Sequence, residues 1–124
     1  MSKTSDDEEA VLLVDDDPNI RETLSELLDA NGYEVLEAEN GQIALDVLRN
    51  APRFPCVVLL DLSMPVLDGR EFLRLRASDP VLRDIPVVVV SGSNQPPDTL
   101  EGIDEYLRKP VKFERLIEII EHYR

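Results

Sequence analysis

A few residues able to do chemistry stand where strand-like runs of the chain stop. Asp15, Asp16 and Asp17 follow "AVLLV", Asp61 follows "CVVLL", Ser91 follows "PVVVV", and Lys109 follows "IDEYLR". If those runs lie parallel in one sheet, carboxylates, a hydroxyl and an ammonium share one rim. Carboxylates packed that closely repel and cost stability unless a cation neutralises them. A hard divalent ion is the natural answer, and Mg²⁺ takes oxygen ligands while keeping several waters. No His or Cys accompanies the group, which disfavours zinc. A carboxylate can also attack phosphorus and become an acyl phosphate. That step wants a metal on the phosphoryl oxygens, a cation on the other side and a hydroxyl donor. Asp61 as nucleophile, Asp15 and Asp16 for metal, Lys109 as cation and Ser91 as hydroxyl supply such a set. Each residue alone has a plainer reading: cap, turn residue or solvated charge. Their joint placement at several strand ends argues for chemistry.

The elements that must position them are legible as alternating periods. "AVLLVD" reads as a buried strand and "PNIRETLSELLDANG" as a helix. That helix carries Ile20, Leu24, Leu27 and Leu28 on one face, Asp17 as N-cap, Pro18 in the first turn and Asn31-Gly32 as the stop. "YEVLEA" alternates as a second strand, with nothing distinctive at its end. "GQIALDVLRNA" presents Ala44, Val47, Leu48 and Ala51 inward. "CVVLLD" and "PVVVVS" are apolar at nearly every position, which predicts strands covered on both faces. A third helix is expected over 69–77 and a fifth strand in "IDEYLRK". "KFERLIEIIEHYR" closes the chain with Phe113, Leu116, Ile117 and Ile120 on one face. The fourth helix is squeezed into "QPPDTLEG". Strand followed by helix, repeated along the chain, predicts an α/β doubly wound parallel sheet with ligands at the carboxyl ends of the strands.

Composition narrows the function classes. At 124 residues and 43% apolar content, one domain with one core is expected, residues 10–124, after an acidic flexible tail over 1–9. The formal net charge of −13 leaves no basic footprint for nucleic acid. No apolar run approaches the roughly 20 residues of a membrane span, and the polar N-terminus lacks a signal-peptide core. A cytoplasmic protein is expected. The single cysteine, Cys56, reads as a buried, unpaired thiol.

"VLLVDDDPNIR", "VVLLDLSMPVLDG", "PVVVVSGS" and "YLRKP" resemble, in order and spacing, the four signature segments of response-regulator receiver domains of two-component signalling. The resemblance covers Ala10 to about His122. It implies a flavodoxin-like (βα)5 fold with strand order 2-1-3-4-5. It also implies that Asp61 is the phospho-accepting aspartate, that Asp16 is the principal Mg²⁺ ligand, and that Asp15 binds metal mostly through water. The backbone carbonyl of Ser63 would be the remaining protein ligand. Lys109 would pair with the phosphoryl group, or with Asp61 beforehand, and its bond to Pro110 would be cis. Ser91 and Tyr106 would form the switch. Asp17 has no family role and stays the cap of the first helix; Asp68-Gly69 would cap and start the third helix.

The function implied is Mg²⁺-dependent transfer of a phosphoryl group from a phosphohistidine, on a sensor histidine kinase or a histidine phosphotransfer protein, to Asp61. The switch would then change a surface read by a downstream protein target that the sequence does not identify. Such a chain is a phosphoacceptor taking part in its own phosphorylation and dephosphorylation rather than an enzyme. Ending at Arg124, it would be a stand-alone receiver without nucleic-acid or membrane partners. Ser63 and Ser93 would flank the route of attacking water, and His122 would be a surface residue. One departure is the short interval between Ser91 and Lys109, where Pro96, Pro97 and Gly102 leave room for little more than one helical turn. The alternative reading is a degenerate receiver that docks partners without phosphorylation. A flavin carrier would want a Gly/Ser/Thr-rich loop where "DDDPN" stands, and an aspartate-nucleophile phosphatase would need a cap for which the chain has no spare length.

Overall fold

The apolar runs named above become the middle of a five-stranded parallel sheet in a computed structural model that describes residues 10–52, 54–61, 69–92, 103–109 and 111–123. The elements are β1 (Ala10–Val14), α1 (Pro18–Ala30), β2 (Glu34–Ala38), α2 (Gly41–Asn50), β3 (Val57–Leu60), α3 (Gly69–Ala77), β4 (Val87–Ser91), β5 (Glu105–Arg108) and α4 (Phe113–Tyr123). Strand order is β2-β1-β3-β4-β5, all pairs parallel, as expected for a flavodoxin-like α/β fold. The expected N-terminal tail, Ser63, Met64, Pro65, Asp68, Ser93, the short stretch with Pro96, Pro97 and Gly102, and Pro110 lie outside the described residues.

Successive side chains of a strand point to opposite faces, so each inner strand feeds two cores. Leu12, Val14, Val58, Leu60, Val87 and Val89 pack with α2 and α3. Val11, Leu13, Val57, Leu59 and Val88 pack with α1 and α4. This double use explains why the inner strands are apolar throughout.

The first helix starts and stops as its sequence predicts. The Asp17 carboxylate accepts from the amides of Asn19 (2.9 Å) and Ile20 (3.4 Å), Pro18 opens the first turn, and Gly32 takes φ 91° just past the end. Its expected apolar face is too wide. Only Leu28 is fully buried, while Ile20 and Leu27 stay 36% and 39% exposed. Residues advance about 100° around a helix, and α1 presses on the sheet through the Leu24–Leu28 side, leaving the Ile20–Leu27 side turned out. In α2 and α4 the expected face is rotated: Leu45 and Ile119 are buried with Ala44, Leu48, Leu116 and Ile120, while Val47, Phe113 and Ile117 are half-buried. Ala51 falls just after α2, and Cys56 is half-buried.

An arginine anchors the sheet's far end. The buried Arg76 guanidinium of α3 donates to the Ile85 carbonyl (2.5 and 3.2 Å) and the Arg83 carbonyl (2.9 Å), closing the turn into β4. Burial pulls it below the usual arginine range, and Asp104 and Asp84 oppose that pull.

Candidate functional site

In the sheet, the chain leaves β1 to build β2 on one side and returns to place β3 on the other. The strand order therefore reverses between β1 and β3, where doubly wound folds open a crevice at the strand tips. Register brings Val14 opposite Leu60, so the next residues, Asp15 and Asp61, emerge side by side into that crevice. Both lie one residue past the strands to which the sequence assigned them, yet the sheet still holds their backbones. The Asp15 amide donates to the Ala38 carbonyl at 3.1 Å and the Asp61 amide to the Val14 carbonyl at 2.9 Å. Two further registers carry the rim across to Ser91 and Lys109. Ser91 pairs with Arg108, and the Lys109 amide donates to the Ser91 carbonyl at 2.9 Å.

The side chains converge as the sequence reading requires. One carboxylate oxygen from each of Asp15, Asp16 and Asp61 lies within 4.8 Å of the other two. Asp15 and Asp61 are buried and Asp16 is exposed, so the group opens to solvent on one side. The Lys109 ammonium sits 3.6 Å from Asp15 Oδ2 and 3.8 Å from Asp61 Oδ2. It thus bridges two acids, where the expectation paired it with Asp61 alone. Three carboxylates against one ammonium leave a local charge near −2, the right sign and size for a divalent cation. All donors are oxygens, the preference of Mg²⁺ over softer metals. Asp17 stands apart as the cap of α1.

The remaining expected residues take up compatible places. Ser91 is 1% exposed at the tip of β4. Tyr106 lies opposite Val89, two residues before Ser91 on the same face of the sheet, and packs half-buried against the α2–α3 core. Ser63 lies outside the described residues. His122 is exposed and meets Tyr123 edge-on, with ring centroids 4.8 Å apart.

Two supports went unread in the sequence. The Asp15 carboxylate accepts at Oδ1 from the Asp17 amide (2.9 Å), which fixes its rotamer and leaves Oδ2 for Lys109. Arg21, one turn into α1, donates to the Asp15 backbone carbonyl at 2.7 Å and pairs with Glu37 of β2 at 3.2 Å. The end of β2, which looked featureless, supplies that counter-charge. The only signal available was the basic residue on an otherwise acidic first helix.

Comparisons with known proteins bear on the family and the fold. The response regulator receiver domain family matches residues 11–121. Protein PilH of Pseudomonas aeruginosa is 36% identical over 114 residues, covering 89% of this chain and 93% of PilH. Response regulator MprA of a Mycobacterium species is 38% identical, covering 86% of this chain but only 46% of MprA, so the chain spans about half of that relative. Among solved structures, response regulator TrrA of Thermotoga maritima, in complex with Mg²⁺ and BeF, superposes with a TM-score of 0.82. It is 31% identical, with 94% of this chain and 99% of that one covered. The chain belongs to the response regulator receiver domain family of two-component signalling.

Proposed function

We propose that the chain is a phospho-accepting receiver whose acceptor is Asp61. The observation that carries this reading is the convergence of Asp15, Asp16 and Asp61 within 4.8 Å, with Lys109 reaching two of them. Asp15, Asp16 and Asp61, with the Ser63 carbonyl, would hold Mg²⁺. When bound, the ion supplies positive charge to phosphoryl oxygens during an in-line displacement.

The chain's own residues do the rest. An Asp61 carboxylate oxygen attacks the phosphorus of a phosphohistidine presented by a sensor histidine kinase or a histidine phosphotransfer protein. The new O–P bond forms as the N–P bond breaks, and the imidazole leaves with the electron pair and takes a proton from solvent. Lys109 neutralises one of the oxygens that Asp15 and Asp61 otherwise present to it. Ser91 offers its hydroxyl to the phosphoryl group, and Tyr106 follows it inward, shifting the population of the surface around β5 and α4. Water later cleaves the acyl phosphate. The protein is thus a phosphoacceptor that takes part in its own phosphorylation and dephosphorylation rather than an enzyme acting on other molecules.

The test is incubation with Mg²⁺ and acetyl phosphate followed by intact mass. One phosphate adduct is expected in the parent and none in Asp61→Asn or in EDTA. A parent that stays unmodified in saturating Mg²⁺, or an adduct that persists in Asp61→Asn, overturns the reading.

A further inference from the structure

We propose that α1 is a salt-dependent latch: concentrated monovalent cation docks it firmly on the sheet, and its docking fixes the loop that carries Asp15. The outer surface of α1 bears Glu22, Glu26 and Asp29, all exposed and spaced by four and three residues, so that neighbours stack one turn apart. Among the described residues none of the three takes part in an ion pair. The helix has no basic residue in its last turn, so Asp29 meets the negative end of the helix dipole unopposed. Its one arginine, Arg21, is turned inward to Glu37 and the Asp15 carbonyl. Beyond the helix, exposed Glu34 and Glu39 add charge of the same sign, and the whole chain carries −13.

Little apolar burial opposes that repulsion. Leu28 is the one fully buried side chain of α1, and Ile20 and Leu27 are more than a third exposed. An open cleft of about 640 Å³ runs beside the helix, reaching Ile20, Thr23 and Leu24 on one wall and Val90, Val111 and Leu116 on the other. Among the described residues, each of the other helices has at least three buried residues where α1 has one. Among the described helices, α1 is the one that combines a like-charged outer face with few buried residues on its inner one.

Screening lengths set the salt range. Carboxylates one turn apart are separated by about 6 Å at Cβ. A Debye length of about 10 Å at 0.1 M leaves more than half of their repulsion, whereas about 3 Å at 1 M leaves roughly one-seventh. The site feels the difference through Arg21 and Asp17, whose bonds hold the Asp15 backbone and carboxylate.

Hydrogen exchange of the full chain in EDTA tests the latch without metal or phosphodonor, so its outcome is independent of the phosphoryl-transfer reading. In 0.1 M KCl, amides of residues 22–30 are expected to show protection factors at least tenfold below those of β1 and β3. In 2 M KCl that gap should close to under threefold. In Glu22→Gln/Glu26→Gln/Asp29→Asn it should already be closed at 0.1 M. No gap in the parent at 0.1 M, a gap unchanged at 2 M, or a variant that keeps the parent's gap overturns the proposal. Should the triple variant fail to fold, the parent's salt series alone decides.

Discussion

Replacing Asp61 with Asn should make the metal-free protein more stable, and the geometry gives the size of the effect. The Lys109 ammonium lies 3.8 Å from Asp61 Oδ2. At an effective dielectric of about 20 that attraction is worth about 4 kcal/mol. Asp15 and Asp16 each bring a carboxylate oxygen within 4.8 Å of Asp61. On the same scale each contributes about 3.5 kcal/mol of repulsion. Repulsion therefore exceeds attraction by a few kcal/mol. Asp16 is exposed and the Lys109 side chain is 31% exposed. Solvent screening at such sites reduces the difference to about 1 kcal/mol.

In EDTA and 0.1 M KCl, Asp61→Asn should accordingly raise Tm by about 3–5 °C for a domain of this size. Raising KCl to 1 M should shrink the gain, since the repulsion is screened. Saturating Mg²⁺ should reverse the order. A ligand at a hundred times its Kd adds about 2.7 kcal/mol to the parent, and the variant, short of one acidic ligand, should gain less. Thermal unfolding followed by circular dichroism in the three solutions reads all of this. A metal-free variant less stable than the parent would show that the Lys109 pair outweighs both repulsions. An undiminished Mg²⁺ gain would remove Asp61 from the ligand set.

Three further outcomes test the scaffold around the site. Arg21→Met should free the Asp15 carbonyl and lower Mg²⁺ affinity about tenfold by calorimetric titration, the usual scale for losing a group that orients a ligand; an unchanged affinity would reduce Arg21 to a surface ion pair. Arg76→Met should cost about 3 kcal/mol in urea unfolding, because the Ile85 and Arg83 carbonyls lose a charged donor where water cannot replace it; a loss under about 1 kcal/mol would show that the turn relaxes. Burial pushes the Tyr123 phenol above its ordinary value of 10.0, with Asp104 and Glu105 adding to the shift. A raised value favours the neutral phenol in the folded state, so its contribution is intact below pH 10 and fades as pH rises through the folded value. The difference between ultraviolet titrations of the parent and Tyr123→Phe should therefore fall above pH 10.

What the sequence made legible follows from which forces act locally. Periods of two and 3.6 residues record burial directly, so "CVVLLD" and "PVVVVS" announced central strands within one residue of their ends. Asp15, Asp61, Ser91 and Lys109 were found because a parallel sheet sends every strand tip to one rim, which turns position along the chain into position in space. The face of α1 was misjudged for a related reason. Ile20, Leu24, Leu27 and Leu28 obey the helical spacing, but spacing states which residues share a side and not how much of that side a neighbour covers. Arg21 was harder still. An arginine one turn into a helix is ordinarily a solvated charge, and its partners, the Asp15 carbonyl and Glu37, come together only when β1, β2 and α1 are assembled. The acidic centre was visible because its residues directly follow strand ends. What holds it in place is tertiary, and no local pattern records it.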